Sequence, residues 1–187
     1  MVYHAWTFGW IIGEIIHRVD GRSIAQFARE ALCQPLGIAD FYLGIPDALE
    51  PRVAPLRQDA RHLALASQLS ELDRRVAPPQ VTSAEVVNRP DVRRASIPAG
   101  GGIMSAHAIA RHYAMLAGYG ELDGIRILSA ERIDIIRALQ TYATDDPSKT
   151  TPRVGLGYML AGAPEQGGVL AMGHQVVHLG IPAMAVH

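Results

Sequence analysis

Lysine is nearly missing from this chain. Of its 17 basic side chains sixteen are arginine and only Lys149 is lysine, so chemistry that needs an amine must use that one. Cysteine is equally scarce. Cys33 alone excludes an intramolecular disulfide and any multi-cysteine metal site, and its apolar neighbours mark it as a small buried hydrophobe. No long run of like charge occurs, and 17 basic against 18 acidic side chains leave a formal net charge of -1. Nucleic acid and anionic membrane are therefore not expected partners, because both require a basic face. No basic-then-apolar leader is visible, and the apolar run at residues 8–16 is interrupted by Glu14 and too short to span a bilayer. A cytoplasmic chain is the expectation.

Several catalytic signatures are also missing: there is no Gly-x-Ser-x-Gly elbow, no His-Glu-x-x-His and no P-loop. His174 and His178 have the i, i+4 spacing of a helical chelate, but their surroundings read as strand and loop, so no metal is expected. Nothing calls for a cofactor. His107 and His112 are five apart, share no helix face and read as solvated.

What is present is a hydrophobic content of 49%, enough for a real core, and an unusual opening. Tyr3, Trp6 and Trp10 crowd the first ten residues, where chains are ordinarily polar and loosely held. Phe8, Ile11, Ile12, Ile15, Ile16 and Val19 follow the spacing of an amphipathic helix that Asp20-Gly21 ends. Ser23 then starts a second helix, with Gln26 completing a capping box and Ile24, Phe27, Ala28, Ala31 and Leu32 as its inner stripe; Pro35 stops it. Residues 38–45 continue as loop or a short extended piece.

Seven prolines punctuate residues 46–98, with one helix expected at about 58–75. This segment reads either as a cover over a helical lobe or as an insertion that carries specificity. After Gly100-Gly101-Gly102, Ser105 caps a helix whose inner side is Ile109, Tyr113 and Leu116. Asp123-Gly124 is a turn, and Ser129 caps a helix facing inward with Ile133, Ile136 and Leu139. The last third is β-like, with strands expected at 154–160 and 169–172.

Taken in order, Tyr3-His-Ala-Trp-Thr-Phe-Gly-Trp10, the helix ending in Asp20-Gly21, Gln34-Pro-Leu-Gly-Ile38, Pro98-Ala-Gly-Gly-Gly-Ile-Met-Ser105 and Gly155-Leu-Gly-Tyr158 resemble the serine β-lactamase-like family. That family holds class C β-lactamases, related esterases and β-lactamase-domain proteins. The resemblance covers about residues 3–174. It implies an α+β fold, an antiparallel sheet flanked by helices beside a helical lobe, of which this chain keeps mostly helices and a few C-terminal strands. The implied division is a helical lobe over 3–96 and a partial α/β-sheet lobe over 97–187, together one incomplete domain.

The family's chemistry uses three stations: a Ser-x-x-Lys nucleophile, a motif tyrosine that serves as base, and a Lys- or His-x-Gly strand beside the oxyanion. By the same resemblance Tyr3 is the motif tyrosine, with Ala5 where lactamases carry asparagine, which favours an esterase-like hydrolase. His174 matches the third station, although Gln175-Val176 replaces x-Gly. The first station is absent, for Asp146 stands three residues before Lys149. The expectation is a fragment of an ester, amide or lactam hydrolase, inactive alone. The alternative is a binding or complementation module with a partner chain or an oligomer.

Overall fold

The structure is a computed structural model that describes residues 6–58, 71–76, 78–140, 154–158, 160 and 184–185. It is α+β, with helices dominating a few short strands. Two compact units are present. One joins Tyr3–Ile109 to Val176–His187, and the other joins Met1–Val2 to Ala110–Gln175.

In the larger unit α1, Thr7–Asp20, ends as its sequence dictates: Gly21 takes φ 86° and donates its N–H to the His17 carbonyl. Helix α2, Ile24–Ala28, is capped by Ser23, whose side chain accepts from the Gln26 N–H. The reciprocal half of the capping box does not form, and the Gln26 side-chain nitrogen donates to Glu30 at 3.0 Å. A π-helical turn over Arg29–Cys33 extends α2 and buries Cys33, whose thiol pKa is pushed up by desolvation. Pro35 has no N–H to continue the ladder, and Gly37 at φ 63° turns the chain away.

The short extended piece expected after it is β1, Phe41–Leu43. It pairs antiparallel with β2, Gly102–Met104, with Tyr42 opposite Ile103. On the other side of β2 lies β5, Met184–Ala185, in parallel. This sheet is thus mixed. Ile103 is completely buried, and it clusters with Ile45 and Val53 against Tyr42, Leu49 and Leu56.

The proline-rich segment resolves into short pieces: a 3-10 turn at Asp47–Arg52, then α3 at Glu71–Val76, α4 at Pro79–Thr82, α5 at Ala84–Val87 and α6 at Pro90–Arg94. Most of the single helix expected at 58–75 lies outside the described residues. What fastens the described part is Asn88. Its Oδ1 accepts from the Leu56 N–H at 2.8 Å and from Arg93 at 2.9 Å, and its amide donates to the Leu56 carbonyl at 2.8 Å. Arg93, buried, completes the set with Glu50 at 2.7 Å. Asn88→Ala strips partners from both backbone groups of Leu56 and from a buried guanidinium. A loss of about 2–3 kcal/mol is expected in urea denaturation; a loss under about 0.5 kcal/mol would show that water replaces the amide.

Helix α7, Ala106–Ala117, begins in the larger unit and continues into the smaller one. Ser105 caps it by accepting from the Ala108 N–H at 3.1 Å. Leu116 is buried as expected, but the other buried positions are Ala108 and Met115, while Ile109 and Tyr113 are only half-buried. The hairpin β3–β4, Glu121–Leu122 with Ile125–Arg126, turns on Asp123 and Gly124 at φ 52° and 77°. Ser129 caps α8, Ala130–Arg137, and Ile133 is fully buried, whereas Leu139 lies beyond the helix and is exposed.

The strand expected at 154–160 is not formed. Gln140 donates to the Val154 carbonyl at 2.7 Å, Gly155 donates to the Tyr158 carbonyl at 2.8 Å, and Gly157 at φ 78° reverses the chain. The expected close packing is present, because a Cβ on Gly155 would run into the Ile136 carbonyl. The second expected strand, 169–172, lies outside the described residues. Among the described residues no helix is long and apolar enough to cross a membrane.

Candidate functional site

Tyr3 and His174 both lie outside the described residues, as does His178. The described structure begins three residues after Tyr3, with the wall that follows it. There Trp6 lies against Gly100, where an added Cβ would stand 3.2 Å from the indole ring. One turn further, a Cβ on Gly9 would come within 2.6 Å of the Ala99 amide nitrogen. The glycine triplet works through this closeness and not through special dihedrals, since none of the three has a positive φ. Its turn is held by the Ile97 carbonyl, which accepts from Gly100 at 3.3 Å and from Gly101 at 2.8 Å. Trp6 is partly buried, and its indole N–H has no hydrogen-bond partner. Trp10, on the neighbouring turn, is half exposed.

The described serines offer no nucleophile. Ser23, Ser83, Ser105 and Ser129 each accept a backbone N–H as helix caps. Ser96 is half-buried, with its hydroxyl shielded from solvent and without a hydrogen-bond partner. None of the five is hydrogen-bonded to a histidine. Among the described residues there is no group of three or more histidine, cysteine or carboxylate side chains suited to a metal.

A polar cluster that the sequence did not announce sits in the smaller unit. His112, read as solvated, is packed in: its Nε2 shares a 3.0 Å hydrogen bond with the Tyr158 hydroxyl. Its ring stacks on Tyr158 with centroids 6.0 Å apart and meets Tyr113 edge-on at 5.5 Å. The signal was available, since His112 stands four residues after Ala108 and three before Met115, both buried. His107 is exposed, as expected.

Burial pushes the His112 pKa down, and burial followed by repulsion from Tyr113 pushes Tyr158 up to about 12. Both groups are therefore neutral at pH 7, and the pair reads as a packing device. The signs give a pH window. His112 resists protonation in the fold, so stability is full above about pH 6.5 and falls as pH drops through the lowered native pKa. Tyr158 resists ionisation, so stability is full below about pH 10 and is lost as pH rises toward 12. Tyr158→Phe is expected to shrink the alkaline loss, to which half-buried Tyr113 and Tyr42 also contribute, to keep the acid one and to cost about 1 kcal/mol at pH 7 in urea melts. An unchanged alkaline limb would mean that another tyrosine sets it.

The Beta-lactamase family model matches residues 1–184. The chain is 33% identical over 169 residues to the Esterase/beta-lactamase LipL of Mycobacterium tuberculosis, a stretch covering 83% of this chain and 39% of LipL. A family VIII carboxylesterase superposes with a TM-score of 0.70 at 30% identity, covering 86% of this chain and 42% of the enzyme. A penicillin-binding protein homologue from Caulobacter crescentus gives 0.62 at 30%, covering 84% and 42%. In each case the chain spans about two fifths of the relative. With a family model matched across nearly its whole length, and folds of that family on its described residues, the chain belongs to the serine β-lactamase-like family.

Proposed function

We propose that these residues form part of a serine hydrolase acting on small-molecule esters, amides or lactams through an acyl-enzyme, and that Tyr3 and His174 line its cleft. The observation that carries this reading is identity of 30–33% to an esterase/β-lactamase and to a carboxylesterase over more than four fifths of the chain. Ala5 at the asparagine position favours esters over lactams. The stretch needed for acylation, Ser-x-x-Lys, is not among the 187 residues, so the chain alone is inactive on this reading. Reading the DNA upstream of the first codon in all frames tests it. A Ser-x-x-Lys reading frame there, whose joined product turns over a p-nitrophenyl ester and loses that turnover in Tyr3→Phe, supports the hydrolase. A joined product with no turnover would count against it.

The second reading is a non-catalytic module that binds through the remnant cleft or complements another chain. What favours it is the same missing nucleophile together with coverage of only 39–44% of the relatives. An unrelated gene upstream, with the chain itself expressed and folded, would favour this alternative.

A further inference from the structure

Helix α7 and the turn over residues 154–158 meet through a side-chain pair that is built for a neutral imidazole. The His112 Nε2 and the Tyr158 hydroxyl share their hydrogen bond, the two rings stack, and Tyr113 meets both edge-on, at 5.5 Å from His112 and 6.5 Å from Tyr158. The other ring nitrogen, Nδ1, is buried and has no hydrogen-bond partner. In either neutral tautomer Nε2 serves the hydroxyl, as acceptor or as donor. A second proton removes that choice. Both nitrogens then donate, Nε2 no longer accepts from the phenol, and the charged ring carries a buried N–H with nothing to receive it.

Little in the surroundings offsets that charge. The residues whose rings face His112 are Tyr113 from its own helix and Tyr158 from the turn, and residues 154–158 contain no charged side chain. The other ionisable groups on these elements have pairs of their own. Arg111 is bridged to Asp123 of the hairpin at 2.7 Å, and Arg137 of α8 to Asp134 at 3.3 Å and to the Tyr119 hydroxyl. His107, in the first turn of α7, is exposed. Burial lowers the His112 pKa with no described carboxylate opposing it. Among the described residues, the face of the Tyr158 ring is the group that would favour an imidazolium.

The turn is the part that can yield. Helix α7 has twelve residues and its own hydrogen-bond ladder. The turn lies against the end of α8 by two backbone bonds, from Leu156 to the Ile136 carbonyl at 2.9 Å and from Gln140 to the Val154 carbonyl. Two of its five residues are glycine, and the Leu156 side chain is 48% exposed. We propose that residues 154–158 form an acid-released latch, closed on α7 while His112 is neutral and detached from it when the ring takes a second proton. The release is local, so α7 and α8 keep their helices. The inference is independent of the hydrolase reading, because it uses only this pair and its turn.

Amide hydrogen exchange followed by NMR on the full chain tests it, with protection taken against peptide rates at each pH. From about pH 7 to about pH 5 the protection of Gly155 and Leu156 is expected to fall about tenfold, because opening returns His112 to its ordinary pKa of about 6.5. Ile133, whose N–H donates to the Ser129 carbonyl in α8, is expected to keep its protection. His112→Leu is expected to remove the pH dependence at Gly155 and Leu156. Should that variant fail to fold, the titration of the His112 ring in the unaltered chain decides, since its midpoint must coincide with the loss of protection. Protonation of the ring with Gly155 and Leu156 still protected overturns the proposal, the stacked Tyr158 then holding the cation in place. So does an equal loss at Ile133, which is global unfolding, or a pH dependence that survives His112→Leu.

Discussion

A polypeptide of these 187 residues is expected to hydrolyse p-nitrophenyl butyrate and a chromogenic cephalosporin no faster than buffer. Acyl transfer in this family begins with an activated serine, and the lysine that assists it must stand three residues on. Lys149 follows Asp146 at that spacing, and no other lysine exists. The described serines do not substitute, because four are committed to helix caps and the Ser96 hydroxyl is buried with no hydrogen-bond partner. On the proposed reading, Tyr3 without a nucleophile has only water to activate, which is far weaker than an oriented serine alkoxide. Removing the nucleophile from serine hydrolases costs about 10⁶-fold in kcat, so an enzyme of about 10 s⁻¹ falls to about 10⁻⁵ s⁻¹. That is at or below the detection limit of a chromogenic assay at micromolar protein. Saturable turnover with an initial burst, lost on Tyr3→Phe, would refute the expectation and point to a serine outside the described residues.

The second large effect is structural. Gly9→Val is expected to displace or unfold the first half of α1, at a cost of 3 kcal/mol or more. The sign is worth deciding from magnitudes, since replacing glycine in a helix interior ordinarily helps: Ala gains about 1 kcal/mol over Gly, and Val somewhat less. Here a Cβ would stand 2.6 Å from the Ala99 nitrogen and 2.9 Å from its Cβ, and backbone cannot yield as a flexible side chain can. Overpacking of this kind costs about 1–3 kcal/mol for one added carbon, and the two methyls of valine add to it. The clash therefore outweighs the propensity. Gly124→Ala is the control, because a Cβ there meets nothing within 4 Å and only the positive φ of 77° is strained. Its cost is expected to stay near 1 kcal/mol. Denaturant melts with the α1 indoles as fluorescent probes separate the two. Equal costs at the two positions would show that the Ala99 contact relaxes freely.

These outcomes share a cause with what could be read before any coordinates. The ends of α1 and α2, the caps at Ser23, Ser105 and Ser129 and the Asp123-Gly124 turn were all visible, because each depends on one residue's own dihedral or one short hydrogen bond. Burial of Cys33 was visible from its apolar neighbours. The family was visible too, as an ordered set of weak landmarks. His112 was misread as solvated although its helix spacing to Ala108 and Met115 offered a signal; what no local pattern reports is its pairing with Tyr158, 46 residues away. The strand expected at 154–160 failed for a related reason: alternation of apolar and small residues suits both a strand and a tight turn, and the Ile136 carbonyl next to Gly155 selects the turn.

By itself, then, the sequence determined the family, the main helices outside the proline-rich segment with their caps, and that no Ser-x-x-Lys is present. Helix periodicity and capping are local, so a window of ten residues is enough to state them. Tertiary structure decided which side of each helix is covered. For α1 the amphipathic spacing was legible, yet it is Gly9 and Gly13 that pack against neighbouring backbone and side chains while Phe8, Ile11, Ile15 and Val19 face outward. Amphipathic spacing shows that a face wants cover, while backbone approach at Gly9 and Gly13 decides which neighbour arrives first.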